Sequence, residues 1–269
     1  FTNADLLPML GKVDKDCPHL KYVIYDGKDE KGALSKVEEV LKEREGRAIH
    51  IDELIKEGKA NPAKKNPPKP EDTAAIMYTS GSTGKPKGVI LKQSNIVAAI
   101  GAVLMLLGKE LQPNETFLAY LPLAHILEFV VECALMSAGV TMGYGKVKTL
   151  TSNSTKNCLG DLQTFKPSIL VGVPAVFELI RKGITSKVNA GGSLKKNIFN
   201  ASLSIKKNKI PLLTSAVDAI VFKQVKAQTG GRLRLALSGG APLSRETQEF
   251  LDTALVQLLQ GYGMTESSA

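Results

Sequence analysis

The densest set of chemically useful side chains is Tyr78-Thr-Ser-Gly-Ser-Thr-Gly-Lys-Pro-Lys-Gly-Val89. Thr79, Ser80, Ser82 and Thr83 offer hydroxyl donors, and Lys85 and Lys87 bring positive charge. Gly81, Gly84 and Gly88 let the backbone approach a ligand closely, and Pro86 stiffens the turn between the lysines. Backbone N–H groups, hydroxyls and lysines converging on one loop are what a polyphosphate needs. The spacing is neither that of a Walker A loop nor that of a dinucleotide fingerprint. A plain Ser/Gly turn would account for the glycines and serines, but it leaves the two lysines, the proline and the flanking strand pattern unexplained.

Three further sets stand at predicted strand ends. In Gly261-Tyr-Gly-Met-Thr-Glu266, a tyrosine between glycines can lay its ring on a base, and Thr265 can donate to a phosphate oxygen. Glu266 can help hold Mg2+, which commonly takes one or two carboxylates together with phosphates and water. In Ser238-Gly-Gly-Ala-Pro242 the paired glycines open the backbone to a planar group or its ribose, although an ordinary β-to-α turn would read the same. His125 follows Leu121-Pro-Leu-Ala124 at a strand-to-helix junction, where a lone histidine reads first as a structural residue. His19 and His50 have no partners at ligand spacing.

The elements that must position these residues alternate. Ala74 to Tyr78 reads as a short buried strand and Gly88 to Leu91 as a second. Ser94 and Asn95 are cap candidates for an apolar helix ending near Leu107, and Ile96 to Leu107 is 12 residues. That is short of the roughly 20 a membrane span requires, so it reads as a core helix. Thr116 to Leu121, Val140 to Tyr144, Ser168 to Val173 and Arg232 to Ser238 read as further strands. His125 to Ala138, Ala175 to Arg181 and a segment starting at Ser244 read as helices. Ahead of them, residues 1–60 are αβ material, with strands at 21–25 and 47–51, a helix at 33–44 and a short helix from Asp52. Residues 61–72 hold four prolines within ten positions and read as a linker, leaving 73–269 as the main binding portion. The fold class is α/β, with largely parallel sheets covered by helices and binding loops beyond the carboxyl ends of the strands.

The chain has 269 residues, 43% hydrophobic and 23% charged, the composition of a globular protein with a substantial core. Cys17, Cys133 and Cys158 are too few and scattered for a disulfide framework or a metal site, which points to a reducing, intracellular compartment. Net charge is +9, and its distribution is uneven: residues 1–70 hold 14 basic and 13 acidic side chains, residues 181–234 hold 12 and one. Such a stretch meets a membrane surface, an acidic ligand or nucleic acid, or is a solvated face. No aromatic-rich signature accompanies the lysines, so nucleic acid is not an expected partner. Within it, residues 193–209 place Leu194, Ile198, Ala201 and Ile205 on one helical face, widened by Phe199 and Leu203. Lys195, Lys196, Lys206, Lys207 and Lys209 bracket that face, which suits either packing on the domain or contact with an anionic membrane.

Taken together, these stretches resemble the adenylate-forming enzymes: acyl-CoA synthetases, luciferases and peptide-synthetase adenylation domains. Tyr78 to Val89 matches their phosphate loop without a gap, Gly261 to Glu266 their tyrosine-threonine-glutamate motif, and Ser238 to Pro242 their adenine-side loop. Leu121 to Ile126 matches the motif before the acyl tunnel. Phe1 to Leu6, Val173 to Glu178 and Gly240 to Phe250 are similar to the fungal-type long-chain fatty acyl-CoA synthetases, while residues 183–231 match least. The resemblance implies ATP, Mg2+ and coenzyme A, with a long-chain fatty acid activated as acyl-AMP and passed to the thiol. It implies Thr79 to Gly84, with Lys85 and Lys87, at the β- and γ-phosphates, and Thr265 at the α-phosphate. Glu266 is implied at the metal, and Tyr262, Gly263, Gly240, Ala241 and Pro242 at the adenosine. His125 and Phe129 are implied at the acyl tunnel. It further implies a partial large domain, with the ribose-binding aspartate, the hinge and a catalytic lysine expected after Ala269, so that this stretch alone is not expected to turn over. The expected location is the cytosolic face of endoplasmic reticulum, lipid droplet, peroxisome or plasma membrane. A ligase for shorter or aryl acids, or a catalytically incomplete membrane-binding module, is the alternative.

Overall fold

A computed structural model describes the chain except residues 14–15, 81–83, 154, 209, 211–212 and 269. Gly81, Ser82 and Thr83 of the predicted phosphate loop therefore lie outside the described residues. The chain divides into two units, Phe1–Pro67 and Pro68–Ala269. The division falls within residues 61–72, where neither helix nor strand forms.

The first unit alternates β1 (Thr2–Asn3), α1 (Leu7–Val13), β2 (Tyr22–Asp26), α2 (Leu34–Lys42), β3 (Arg47–His50) and α3 (Ile51–Ala60). Its strands pair in parallel in the order β1-β2-β3. α2 turns Val37 and Leu41 onto Ala4, Leu7 and Val23, so the predicted amphipathic face is the one that packs. His50 takes a capping role: its Nδ1 accepts the Asp52 N–H at 3.2 Å, satisfying a donor at the start of α3.

The second unit opens with β4 (Thr73–Ser80) and β5 (Pro86–Lys92), which pair antiparallel with Thr79 opposite Lys87. The expectation of a buried strand before the phosphate loop is corrected here. β4 and β5 form a two-stranded sheet, which buries a single face; Met77 and Leu91 point inward, while Ile76, Tyr78 and Ile90 are exposed. α4 (Gln93–Leu107) follows, its first turn closed by Asn95 Oδ1 accepting the Lys92 N–H at 2.9 Å.

The rest winds through β6 (Thr116–Ala119), α5 (Ile126–Ser137), β7 (Thr141–Tyr144), α6 (Asp161–Phe165), β8 (Ile169–Gly172), α7 (Pro174–Ala190) and α8 (Gly192–Lys207). It continues through α9 (Leu213–Val217), a π-helical turn (Asp218–Phe222), α10 (Lys223–Lys226), β9 (Leu235–Ser238), α11 (Arg245–Ala254) and β10 (Leu258–Gln260). These strands make one all-parallel sheet in the order β10-β9-β8-β6-β7. Both faces are covered, and residues alternate between the two cores. Phe117, Ala119, Ile169 and Val171 meet Val131 and Leu135 of α5 on one side. Leu118, Leu170 and Ala236 meet Phe177, Ile180 and Leu251 on the other. Ser244 caps α11, its Oγ accepting from the Thr247 N–H at 3.2 Å.

α8 forms where expected, and its predicted apolar face divides: Phe199 and Leu203 pack on the core while the rest of the face is more open. Phe199 and Ser202 are its buried residues, whereas Leu194 and Ile198 of the predicted apolar face are 73% and 49% exposed. The Phe199 ring sets the orientation by stacking edge-on against Phe222 at 5.9 Å and tilted against Phe250 at 6.1 Å. Ser202 is accommodated because its hydroxyl donates to the Ile198 carbonyl at 2.8 Å. Lys206 reaches Asp218 at 2.7 Å and lies over the Phe222 ring, and Lys207 meets Glu249 at 3.1 Å. Among the described residues no helix is long and apolar enough to cross a membrane.

Candidate functional site

A cleft of about 700 Å3 opens at the carboxyl ends of β9 and β10. Its polar end is made by three chain segments far apart in sequence. Thr79 and Ser80 come from the end of β4, Gly239 and Gly240 from the turn after β9, and Gly261 to Ser268 from the loop after β10. The parallel sheet delivers the last two to one edge, where hydrogen bonding keeps them in step, while Thr79 and Ser80 come from the separate antiparallel hairpin. The Gly239 N–H donates to Gly172 O at 3.0 Å, and the Gly261 N–H to Ser238 O at 2.9 Å.

Local geometry explains the glycines after β9. Gly240 has φ +81°, a conformation side chains rarely take, and a Cβ on Gly239 would lie 3.1 Å from Leu127 Cδ2. The chain after β10 runs through Tyr262, which is 96% exposed, into a 3-10 turn at Thr265–Ser267. Ser267 and Ser268 close that turn with N–H bonds of 3.1 Å to the Met264 and Thr265 carbonyls. β5 packs beside the same turn. Lys87, paired with Thr79, shares that residue's face of the hairpin.

The other end of the cleft is apolar. α4 contributes Ala98, Ala102 and Leu106, four residues apart on one stripe, and α5 contributes Ile126, Val130 and Val131. His125 sits where the two characters meet. It caps α5, its Nδ1 accepting the Leu127 N–H at 3.3 Å, and also lines the cleft. The structural reading of this histidine and a place in the site thus coincide.

Of the predicted site residues, Thr79, Ser80, Gly240, Tyr262, Gly263, Thr265, Glu266 and His125 line this one cleft. Gly84, Lys85, Lys87, Ala241 and Pro242 are exposed and stand outside its lining. Phe129 is half-buried against Met77, Leu91 and Ile96 and is not part of the wall.

Two contributions escaped the sequence reading. α4 was expected as a core helix, yet only Ile96 and Leu107 are buried; the alanine spacing at 98 and 102 was the available signal for a wall. The second is a pair of carboxylates beneath the other wall. Glu128 is fully buried, and its Oε1 accepts the Tyr120 N–H at 3.2 Å. Burial pushes its carboxyl up to about 7, with the nearby Glu132 adding to the rise. Glu132, one turn along, accepts from the Tyr144 hydroxyl at 3.3 Å and is itself raised by burial.

Donors and hydroxyls at one end and an apolar wall at the other suit a ligand that joins a phosphorylated base to a greasy tail. The sequence profile of the AMP-binding enzyme family matches residues 2–269. The chain belongs to that family.

Relatives within the family sharpen the comparison. The chain is 43% identical over 272 residues to long-chain-fatty-acid–CoA ligase 2 of Schizosaccharomyces pombe, covering 100% of this chain and 39% of that protein. It is 40% identical over 289 residues to long-chain-fatty-acid–CoA ligase 1 of Saccharomyces cerevisiae, covering 100% and 41%. The chain thus spans about two fifths of the length of these relatives. The fold is similar to that of the adenylation domain of a carboxylate reductase from Mycobacterium chelonae, with a TM-score of 0.72 at 22% identity, over 98% of this chain and 39% of that one. The resemblance to adenylate-forming enzymes and the α/β class with parallel sheets both hold.

Proposed function

We propose that this chain carries the nucleotide- and acyl-binding part of an AMP-forming long-chain-fatty-acid–CoA ligase. The observation that carries the reading is the continuity of the cleft, from Thr79, Thr265 and Glu266 at its polar end to Ala98, Ala102, Leu106 and Val130 along its apolar wall. ATP lies at the polar end in this reading. Tyr262 offers a ring face to the adenine, and Gly239 and Gly240 let the base or ribose rest on the backbone. Thr79, Ser80 and Thr265 donate to phosphate oxygens, and Lys85 and Lys87 neutralise the distal phosphates from the hairpin rim.

The fatty-acid carboxylate oxygen attacks the α-phosphorus, and the bond to the β-phosphate bridging oxygen breaks, giving acyl-AMP and pyrophosphate. The coenzyme A thiol then attacks the acyl carbon, the bond to the AMP oxygen breaks, and the thiol proton passes to solvent. An exposed carboxylate on the cleft edge beside a threonine hydroxyl fits a magnesium ion shared with phosphates. Glu266 is the residue that would hold it, and it would supply charge neutralisation on the leaving pyrophosphate. The residues' own contribution is a preorganised set of donors at the polar end and a dry wall for the tail.

Pyrophosphate exchange by the protein in its full natural length, with acids of increasing chain length, tests this. Exchange should rise with chain length, and Glu266→Ala should lower it by roughly 10²-fold, as loss of a charge-stabilising contact does. Best exchange with acetate or an aryl acid would replace the long-chain reading by the shorter-acid one, and unchanged exchange in the variant would remove Glu266 from the site.

A second surface supports a peripheral contact with the cytosolic face of a membrane. Ile198 and Ile220 are exposed on a groove rimmed by Lys187 and Lys195, and Leu194 on the same helix as Ile198 is also exposed. Asp218, the one acid of residues 181–234, is bound to Lys206 and Lys226. Exposed apolar side chains among uncompensated lysines match an anionic bilayer.

A further inference from the structure

The wall of the cleft made by α5 is fixed by a group that never reaches the cleft. β6 ends at Ala119, and the chain turns through Tyr120–Ala124 before His125 starts α5. Glu128, in the first turn of that helix, reaches back to the strand end. Its Oε1 accepts the Tyr120 N–H at 3.2 Å, and the nearby Leu121 N–H favours the charged carboxylate. The turn is closed by the His125 N–H to Pro122 O at 3.0 Å and the Phe129 N–H to His125 O at 3.2 Å. The side chains that depend on this anchorage are His125 and Leu127, both on the cleft wall, the second in contact with Gly239 of the opposite loop.

Holding a carboxyl group there is costly. Glu128 is 0% exposed, and its Oε2 meets no donor among the described residues. An apolar side chain would fill the position at lower cost, but it could not receive the Tyr120 amide. We propose that Glu128 is a positioning residue: its carboxylate clamps the end of β6 to the first turn of α5, and thereby sets His125 and Leu127 against the nucleotide-side loop, so that nucleotide affinity follows the state of the clamp.

The clamp is sensitive to pH, because an ionised carboxylate accepts amide hydrogen bonds more strongly than a neutral carboxyl. Burial, reinforced by Glu132, places its titration at about 7. The surrounding titratable groups are Tyr120 at the end of β6, Glu132 and Cys133 on α5, His125 at its cap, and Tyr144 on β7, which bonds Glu132. α4, packed along α5, carries no titratable side chain, and the hairpin residues in this cluster are Met77, Leu91, Ala74 and Val89. Charge on Glu128 therefore grows as pH rises through 7, and the clamp tightens.

The consequence for affinity rests on the nucleotide reading of the cleft. The test is AMP titration by calorimetry at pH 6 and pH 8 on the parent, Glu128→Gln and Glu128→Ala, with amide hydrogen exchange at Tyr120. The glutamine keeps an acceptor without a charge, and titration of the ligand's own phosphate cancels in the parent-to-variant ratio. Parent affinity relative to Glu128→Gln should rise by roughly 3- to 10-fold from pH 6 to pH 8. The alanine variant should bind about 10-fold more weakly at pH 8 and lose protection at the Tyr120 amide, as displacement of a positioning group does. A pH-independent ratio, or unchanged amide protection in the alanine variant, overturns the clamp. A parent that binds no AMP at either pH overturns the nucleotide reading and the affinity claim with it, while the exchange data still decide whether Glu128 anchors the turn.

Discussion

Arg234→Ala should destabilise the second unit by about 3 kcal/mol, and the reason lies at the sheet edge opposite the cleft. Glu115, immediately before β6, is 5% exposed. Its Oε1 accepts from Arg234 Nε at 2.6 Å and from Nη2, and also from the Gln112 N–H at 3.2 Å. Arg234 immediately precedes β9, so the pair spans β8 and ties the starts of two strands that do not touch. Ser168, at the start of β8, completes the lacing with its hydroxyl accepting the Thr116 N–H at 2.8 Å. Removing the guanidinium leaves a buried carboxylate with too few donors, an event that typically costs 3–5 kcal/mol. Arg234 is 29% exposed, so water reaches part of the gap and the lower figure applies.

At roughly 2–4 °C per kcal/mol for a unit of this size, Tm should fall by about 6–12 °C in a thermal melt at neutral pH. Adding Glu115→Gln should recover about 1–2 kcal/mol, because a neutral amide is far cheaper to bury than a charge. The pH dependence has a fixed sign. Burial alone would raise the Glu115 carboxyl, but Ser168 and Arg234 outweigh it and hold the group below its ordinary value of 4.5. Its stabilisation is thus fully present above 4.5 and is lost as pH falls through the depressed folded value, so parent and variant should converge in acid. AMP affinity measured well below Tm should be unchanged. A melt within about 1 °C of the parent, or a double variant no better than the single one, would refute the argument that an uncompensated charge sets the cost.

The remaining expectations are simpler. Replacing Lys195 and Lys196 by glutamine should reduce sedimentation with anionic liposomes by an amount that added salt reproduces, each lysine contributing on the order of 1 kcal/mol near such a surface; equal binding at low salt would leave α8 an ordinary surface helix. Gly240→Ala should cost about 1–2 kcal/mol of stability through its φ of +81°, and weaken AMP binding by moving the turn after β9; an unchanged denaturation midpoint would show that the turn relaxes freely.

What could be read from the sequence depended on how local its cause was. The strands of the parallel sheet, the helix from Ser244 and the loop after β10 are written in contiguous residues, and each formed within a few positions of where the pattern placed it. The orientation of α8 is set by Phe222 and Phe250 and by Asp218, all distant in sequence, so helical periodicity alone could not tell that Phe199 and Leu203 pack inward while Leu194 and Ile198 stay exposed. The hairpin misled for a related reason: an apolar run gives no sign of whether one or two faces find cover, and β4 found one. Gathering Gly240 and Thr265 at one cleft follows from where parallel strands end, whereas Thr79 arrives on the separate antiparallel hairpin, which that rule does not place. Phe129 shows the limit of transferring a role by offset, since its half-buried ring is taken up by Met77 and Leu91.

The carboxylates of α5 were in plain view. Glu128 and Glu132 stand one turn apart in a helix otherwise made of apolar residues, cysteine and a terminal serine, so they share a face. α5 is covered along most of its length, unlike the equally apolar α4, and both of its acids are buried. Burial of a carboxyl group next to another raises both, which is the condition the structure presents. Acids in such a place persist against a steady energetic penalty only where an apolar side chain cannot do the same work. Here that work is the reception of the Tyr120 backbone amide at the end of β6.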